Sequence, residues 1–243
     1  MLLCSVGGMI ALIAGLLQYL KTSRRRMLTA CGFTEVLQPS PALLNRLESI
    51  YRYGPYQQFK LEALFEKRSS ETSFYYFVLL ETARRHAHYL GTRSIAVISP
   101  NLRLPRMIIA GRVVSARTEQ IIGQAAQIML RPRQPSDDLD DSTAGQAPWK
   151  NELVEIKLNE APNLEPMIKV LADVRYGHAA ESYLTRQRLE SLRWLADKRS
   201  ASKLECGRDC LIIERTIHNE SAPGQDDILA LLNDAQRALA ALQ

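Results

Sequence analysis

Hydrophobic and polar positions divide this chain into an uncharged opening run and a body of short, patterned segments. Residues 1–20, MLLCSVGGMIALIAGLLQYL, carry no charge, and Lys21, Arg24, Arg25 and Arg26 follow within six positions. At ~1.5 Å per residue the run forms a helix ~30 Å long, the thickness of a bilayer's hydrocarbon core. A cleaved signal peptide has its charge before the apolar stretch and a small-residue cleavage site after it, whereas here the charge follows and KTSRRRM offers no such site. Basic residues beside a span stay on the cytoplasmic side, so the pattern predicts a single-pass anchor, N-terminus outside and residues 21–243 inside. The alternatives are a buried core helix, which would lack any polar face at a chain terminus, and a reversed orientation. Tyr19 adds an interfacial aromatic at the same end.

Within the run, Gly7, Ala11 and Gly15 recur every four residues, a stripe of small side chains through which two spanning helices can pack as a homodimer, although Gly and Ala are also common in spanning helices that do not pair. Cys4 is read as a small apolar residue in the span. Residues 21–30 form a basic juxtamembrane segment. Lys21, Arg24, Arg25 and Arg26 are its expected contacts with anionic lipid headgroups.

The body, residues 31–243, alternates between helical and strand periodicity. Ser40-Pro41 pairs an N-cap residue with proline at the first helical position, and Leu43, Leu44, Leu47, Ile50 and Tyr51 follow at helical spacing. Phe59, Leu61, Ala63 and Phe65 alternate as in a half-buried strand. Ser69–Thr72 reads as a turn and Ser73–Thr82 as its antiparallel partner. SIAVIS (94–99) and MIIAGRVV (107–114) predict two further strands around an irregular PNLRLPR link. Helical spacing over 118–129 stops at Pro132, and residues 132–150 have almost nothing to bury, which predicts a mobile loop. Alternation resumes at Val154, Ile156, Leu158 and again over 168–174. A helix over 178–198 is expected next, then a hairpin (203–206, 210–217) turning at Gly207-Arg208-Asp209. Ile228, Leu231, Leu232, Ala235, Leu239 and Leu242 mark one face of a final helix, with Asp226 and Asp227 complementing its N-terminal dipole.

Six to eight strands with hairpin turns and few crossover helices argue for an α+β domain built on antiparallel sheet. A sheet capped by a terminal amphipathic helix resembles a PH-like arrangement.

Charge narrows the partner classes. The formal net charge is +5, and residues 1–30 account for four of it, so the body is nearly neutral. The basic balance follows from topology, and no nucleic acid is expected as a partner. Cys4, Cys31, Cys206 and Cys210 form no disulfide framework.

Candidate chemistry is sparse. His86 and His88 in RRHAH would share one face of a strand and could offer two imidazoles to a metal, but no third ligand stands nearby and Arg84 and Arg85 disfavour a cation. Cys206 and Cys210, spaced CGRDC across a turn, could sit opposite one another, though the spacing is neither that of a thioredoxin-like site nor of a zinc motif. Asp137, Asp138, Asp140 and Asp141 lack the glycine and distal glutamate of a calcium loop. No Gly-rich phosphate loop, GxSxG elbow or HExxH is present. Ser99, Asp173 and His178 could be arranged as a triad, and Asp173, Arg175 and His178 as a scattered site, but no spacing demands either. No metal, cofactor or catalytic residue is expected.

Two segments, ISPNLRLPRMII (98–109) and YLTRQRLESLRWLADKRSASKLECGRDCLIIER (183–215), resemble a pattern in uncharacterised bacterial proteins with a short N-terminal anchor. There, a P-x-L-x-LPR segment precedes a strand, and a leucine-rich helix leads into a hairpin with a Gly/Asp turn. The resemblance covers about half of the body and implies an anchor-plus-domain architecture, with no activity, cofactor or site residue. The expectation is a single-pass protein of the bacterial inner membrane whose cytoplasmic domain binds an unidentified protein partner, or lipid headgroups, without catalysis. A membrane-tethered enzyme acting on a lipid or envelope precursor is the alternative.

Overall fold

Among the described residues nine strands, every neighbouring pair antiparallel, form one sheet in the order β1-β2-β3-β4-β9-β8-β5-β7-β6. The strands are β1 (Thr34–Glu35), β2 (Leu61–Ser69), β3 (Thr72–Leu79), β4 (Thr92–Ile98), β5 (Leu104–Gly111), β6 (Leu153–Glu155), β7 (Ile168–Asp173), β8 (Ser202–Arg208) and β9 (Cys210–Thr216). Among the described residues five α-helices accompany them: α1 (21–30), α2 (Pro41–Ile50), α3 (Gly177–Tyr183), α4 (Arg186–Ser191) and α5 (Gln225–Leu242). This computed structural model describes residues 15, 18, 19, 21–51, 61–79, 92–112, 153–196, 202–216 and 224–243. Most of the opening apolar run, His86 and His88, the helix expected over 118–129, and the loop 132–150 with its aspartates lie outside the described residues. Among the described residues, no helix is long and apolar enough to cross a membrane.

The α+β class and the antiparallel sheet are as the periodicity predicts. The terminal helix does cap the sheet, α5 lying against β4 and β9. The strand order departs from a simple meander, because the late β8–β9 hairpin inserts between β4 and β5. It fits there because β8 and β9 are deeply buried and need a neighbour on each side: Leu204, Cys206, Leu211, Ile212 and Ile213 are all shielded from solvent.

Two apolar layers hold the sheet. One face packs against α1, α3, α4 and α5 through residues such as Leu28, Phe33, Tyr76, Ile109, Leu189, Leu195, Leu211 and Leu231. The opposite face buries Leu47, Ile50 and Tyr51, at and just beyond the end of α2, on Leu64, Phe77, Ala96, Cys210 and Ile212. Each fully buried aliphatic side chain stabilises the fold by about 1.5–3 kcal/mol relative to exposure. Helix α2 starts as its sequence demands. Ser40 accepts from the Leu43 N–H at 3.3 Å, with Pro41 in the first turn.

Three local readings change. The helix expected over 178–198 breaks at Leu184, because Thr185 caps a new helix by accepting from the Arg188 N–H, and a short 3-10 turn, Arg193–Ala196, replaces its end. That turn reaches β5 only because position 111 is glycine: a Cβ there would lie 2.1 Å from the Leu195 carbonyl oxygen. The strand near 154–158 spans only Leu153–Glu155. The LPR part of the PNLRLPR link belongs to β5, with a bulge between Leu104 and Met107 that accommodates Pro105, which has no N–H for the ladder.

Candidate anion-binding cleft

Helix α2, the start of β5 and the tip of the β8–β9 hairpin meet at one end of the sheet and enclose a cleft of about 730 Å³. Its first wall is one face of α2: Ala42, Asn45, Arg46, Ser49 and Ile50 recur at i, i+3 and i+4, flanking the stripe that carries Leu47 into the core. Its second wall is Arg103, Leu104 and Arg106 from β5 and its approach, with Gly207, Arg208 and Asp209 from the hairpin.

Four of these lining residues are arginines, and Asp209 is the only carboxylate among them. Arg46 reaches across the cleft mouth, its Nη2 3.4 Å from Oδ2 of Asp209. Arg103 is held from behind, its Nη1 donating to the carbonyls of Pro100 at 2.5 Å and Leu102 at 2.8 Å. Arg106 lies against Gly207, where an added Cβ would meet the Arg106 Cγ at 3.7 Å and the Ile50 Cγ1 at 3.3 Å. Glycine there lets α2, β5 and β8 come together.

Arg208 has an unusual backbone. Gly207 pairs with Cys210, so Arg208 and Asp209 form a two-residue turn, and Arg208 sits at φ 53°. Glycine and asparagine occupy that conformation at least cost, whereas an arginine there carries strain of about 1 kcal/mol. Ser70, in the β2–β3 turn, takes the same conformation at φ 47°, as tight hairpin turns demand of a central residue. The hairpin tip is fixed to β4 by the Ser99 N–H, which donates to the Asp209 carbonyl at 3.0 Å.

The sheet face next to the cleft carries a second charged group. Glu205, wholly buried, takes the Lys203 ammonium at 2.8 Å, and Glu214 takes it at 3.3 Å. Burial alone would lower the Lys203 pKa, but the two carboxylates outweigh it and hold the amine above its ordinary range.

The residues singled out from sequence are scattered. Asp173 is fully buried and already saturated by Arg175, which donates to it from Nε at 3.0 Å, Nη2 at 2.7 Å and its backbone N–H at 2.9 Å. That Arg175 fork, reinforced by the field of Arg106, holds its carboxyl below the usual range despite burial. His178 is fully exposed and faces Glu181 at 3.9 Å. Ser99 follows β4, four strand spacings from the β7 end that carries Asp173, or about 19 Å. The structure therefore does not bring Ser99, Asp173 and His178 together as a triad, nor Asp173, Arg175 and His178 into an open site.

Cys206 and Cys210 do not oppose one another either. Cys206 pairs with Leu211 and belongs to the larger core, whereas Cys210 pairs with Gly207 and points into the α2 side. An even spacing across a two-residue turn puts them on opposite faces, and burial pushes both thiols far up, so they remain protonated packing groups. Among the described residues, no His, Cys, Asp and Glu side chains gather as a metal site.

The basic segment lies along β2. Lys21 and Arg24 each approach Glu62 at 3.7 Å, Arg25 approaches Glu35 at 3.1 Å, and Arg26 is exposed. Gly15 is helical and exposed, while Gly7 and Ala11 lie outside the described residues.

Sequence reading missed the cleft because its arginines come from three distant segments, each too short to form a basic run. Two signals were available. Arg103 and Arg106 lie within the PNLRLPR segment and Arg208 within the Gly207-Arg208-Asp209 turn, so two stretches distant in sequence converge on one cleft. An arginine also stands in a turn where the backbone favours glycine. Comparison with protein-family models, curated proteins and solved structures finds no match to this chain.

Proposed function

We propose that this chain is a membrane-tethered, non-catalytic binding protein whose α+β domain holds an anionic ligand in the arginine-lined cleft. One observation carries the reading: among the described residues that line the cavity, four are arginines, Arg46, Arg103, Arg106 and Arg208, against one carboxylate, Asp209, with Asp173 also within the field of Arg106. Guanidinium groups present planar, paired donors suited to phosphate and carboxylate oxygens. The cavity volume falls in the range of about 300–1,000 Å³ that small-ligand sites occupy. The tether rests on the uncharged run 1–20 and the cations after it, which argue for a single span with the domain on the cytoplasmic side.

Titration calorimetry of the full-length protein in neutral detergent, with inorganic pyrophosphate as the probe, tests this. Saturable binding is expected, weakened at least tenfold in the double variant Arg46→Gln/Arg208→Gly. Absence of binding, or equal affinity in the variant, would remove the cleft from consideration. Turnover of a phosphoryl compound by the purified wild type would instead favour the membrane-tethered enzyme.

A further inference from the structure

We infer that the cleft draws its ligand from the aqueous phase, as a water-soluble phosphoryl compound, and not from the headgroups of the membrane that holds the chain. The inference rests on the tethered-binding reading above and adds to it the direction in which the cleft faces.

Helix α1 fixes that direction. Lys21 and Arg24, in the N-terminal part of the 21–30 stretch, lie at Glu62, near the start of β2. Arg25 lies at Glu35, which pairs with Phe65. Just past the helix, the Cys31 carbonyl accepts from Lys67 Nζ at 2.8 Å. From Lys21 to Cys31 a helix rises ~15 Å, and from Glu62 to Lys67 a strand rises ~17 Å, so α1 and β2 run side by side in the same direction. The core locks this arrangement: Leu28, Cys31 and Phe33 are buried with Phe65. A membrane reached through residues 1–20 therefore adjoins the Glu62 end of the sheet.

The strand registers carry that end across the sheet. Arg68 pairs with Ser73, Ser73 with Ile98, Ile98 with Cys210, and Cys210 with Gly207. The hairpin tip with Arg208 and Asp209 is thus level with the Ser70 turn, at the opposite end of β2 from Glu62. Arg103 and Leu104 are at that same end, Leu104 pairing with Arg208. At ~3.4 Å per strand residue the separation from Glu62 is about 20 Å. At physiological ionic strength the Debye length is about 8 Å, so the cleft lies more than two screening lengths beyond the tethered end. The α2 wall stands on the sheet face opposite to the one that carries α1, which adds to the separation.

Phosphate chemistry follows from the lining. Guanidiniums outnumber carboxylates in the lining, even with Arg46 beside Asp209 and Arg106 in the field of Asp173, and that balance suits a multiply charged anion better than a single carboxylate. Arg103 is fixed by the Pro100 and Leu102 carbonyls, which preorganises part of the site before any ligand arrives.

The test uses the full chain in lipid nanodiscs, of phosphatidylcholine alone and with phosphatidylglycerol added, titrated with inorganic pyrophosphate at about 0.15 M ionic strength. Expected are affinities within about twofold of each other in the two lipids, and a loss of at least tenfold in both for Arg46→Gln/Arg208→Gly. Asp209→Asn, which retains the hairpin and removes the opposing charge, should strengthen binding in both. A tenfold or greater weakening of wild-type binding by phosphatidylglycerol would show headgroups competing for the cleft and overturn the inference while leaving the anion site intact. Failure of pyrophosphate to bind in either lipid would overturn the anion site and this inference together.

Discussion

Arg46 on α2 and Asp209 at the β8–β9 turn face each other with Nη2 and Oδ2 3.4 Å apart, joining across the cleft mouth two segments that are far apart in sequence. Both side chains are partly exposed, so the pair itself stabilises the fold by no more than about 1 kcal/mol. Its significance is electrostatic. Asp209 offsets one of four guanidiniums, and an arriving anion competes with it for Arg46.

Asp209→Asn is therefore expected to raise affinity for inorganic pyrophosphate about threefold, by removing a repulsion of roughly 1 kcal/mol or less. Binding should also become more salt-dependent. Titration at two ionic strengths checks this, and unchanged or weaker binding would show that Asp209 positions Arg46 more than it opposes the ligand.

Arg208→Gly should separate stability from binding. Glycine relieves the φ 53° turn position and is expected to stabilise the fold by about 1 kcal/mol, raising the melting temperature by ~2–4 °C. The same change removes a cleft cation and should weaken pyrophosphate binding. Thermal unfolding and calorimetry on one preparation read both effects. A variant both less stable and equally competent would contradict this account of the turn.

Gly111→Ala should be among the most damaging single methyl additions, because its Cβ would lie 2.1 Å from the Leu195 carbonyl. Forcing the Arg193–Ala196 turn off β5 is expected to cost about 3 kcal/mol, at the upper end of overpacking effects. Denaturant unfolding of the full chain in detergent measures it. Gly177→Ala, where an added Cβ meets nothing within 4 Å, is the internal control.

Asp234 gives the fold a pH signature. Burial on α5 raises its pKa, and Arg215 at 3.7 Å and Arg237 at 3.9 Å only partly offset that. A carboxyl with a raised folded-state pKa binds its proton more tightly in the folded protein. Its favourable contribution is complete below the unfolded-state value, near 3.9, and is lost as pH rises through the folded-state value. Asp234→Asn is thus expected to stabilise the protein at neutral pH, with the advantage shrinking under acid. Melting temperatures across pH test the sign, and an advantage that grows on acidification would refute it.

Local chemistry made much of the fold legible. The Ser40-Pro41 start of α2, both hairpins and the apolar face of α5 follow from capping, turn and periodicity rules acting within a few residues. The break at Leu184 escaped because leucine spacing continues through it, and the Thr185 cap wins over that spacing. The position of the β8–β9 hairpin escaped because strand order is a contest among distant pairings that no local pattern records. Cys206 and Cys210 show the same limit on a smaller scale. Their spacing suggested proximity, and the pleat sent them to opposite faces.

By itself the sequence determined an uncharged run followed by four cations, an α+β body with antiparallel hairpins, and a nearly neutral charge beyond residue 30. These are properties of contiguous residues, set by helix rise, pleat period and charge order. Only the tertiary structure decided that Arg46, Arg103, Arg106 and Arg208 share a cleft, and that the cleft stands at the end of the sheet away from α1. The reason is physical. Side chains from α2, β5 and the hairpin become neighbours only after burial of Leu47, Ile50 and Cys210 brings those elements together, and burial is a property of the whole sheet.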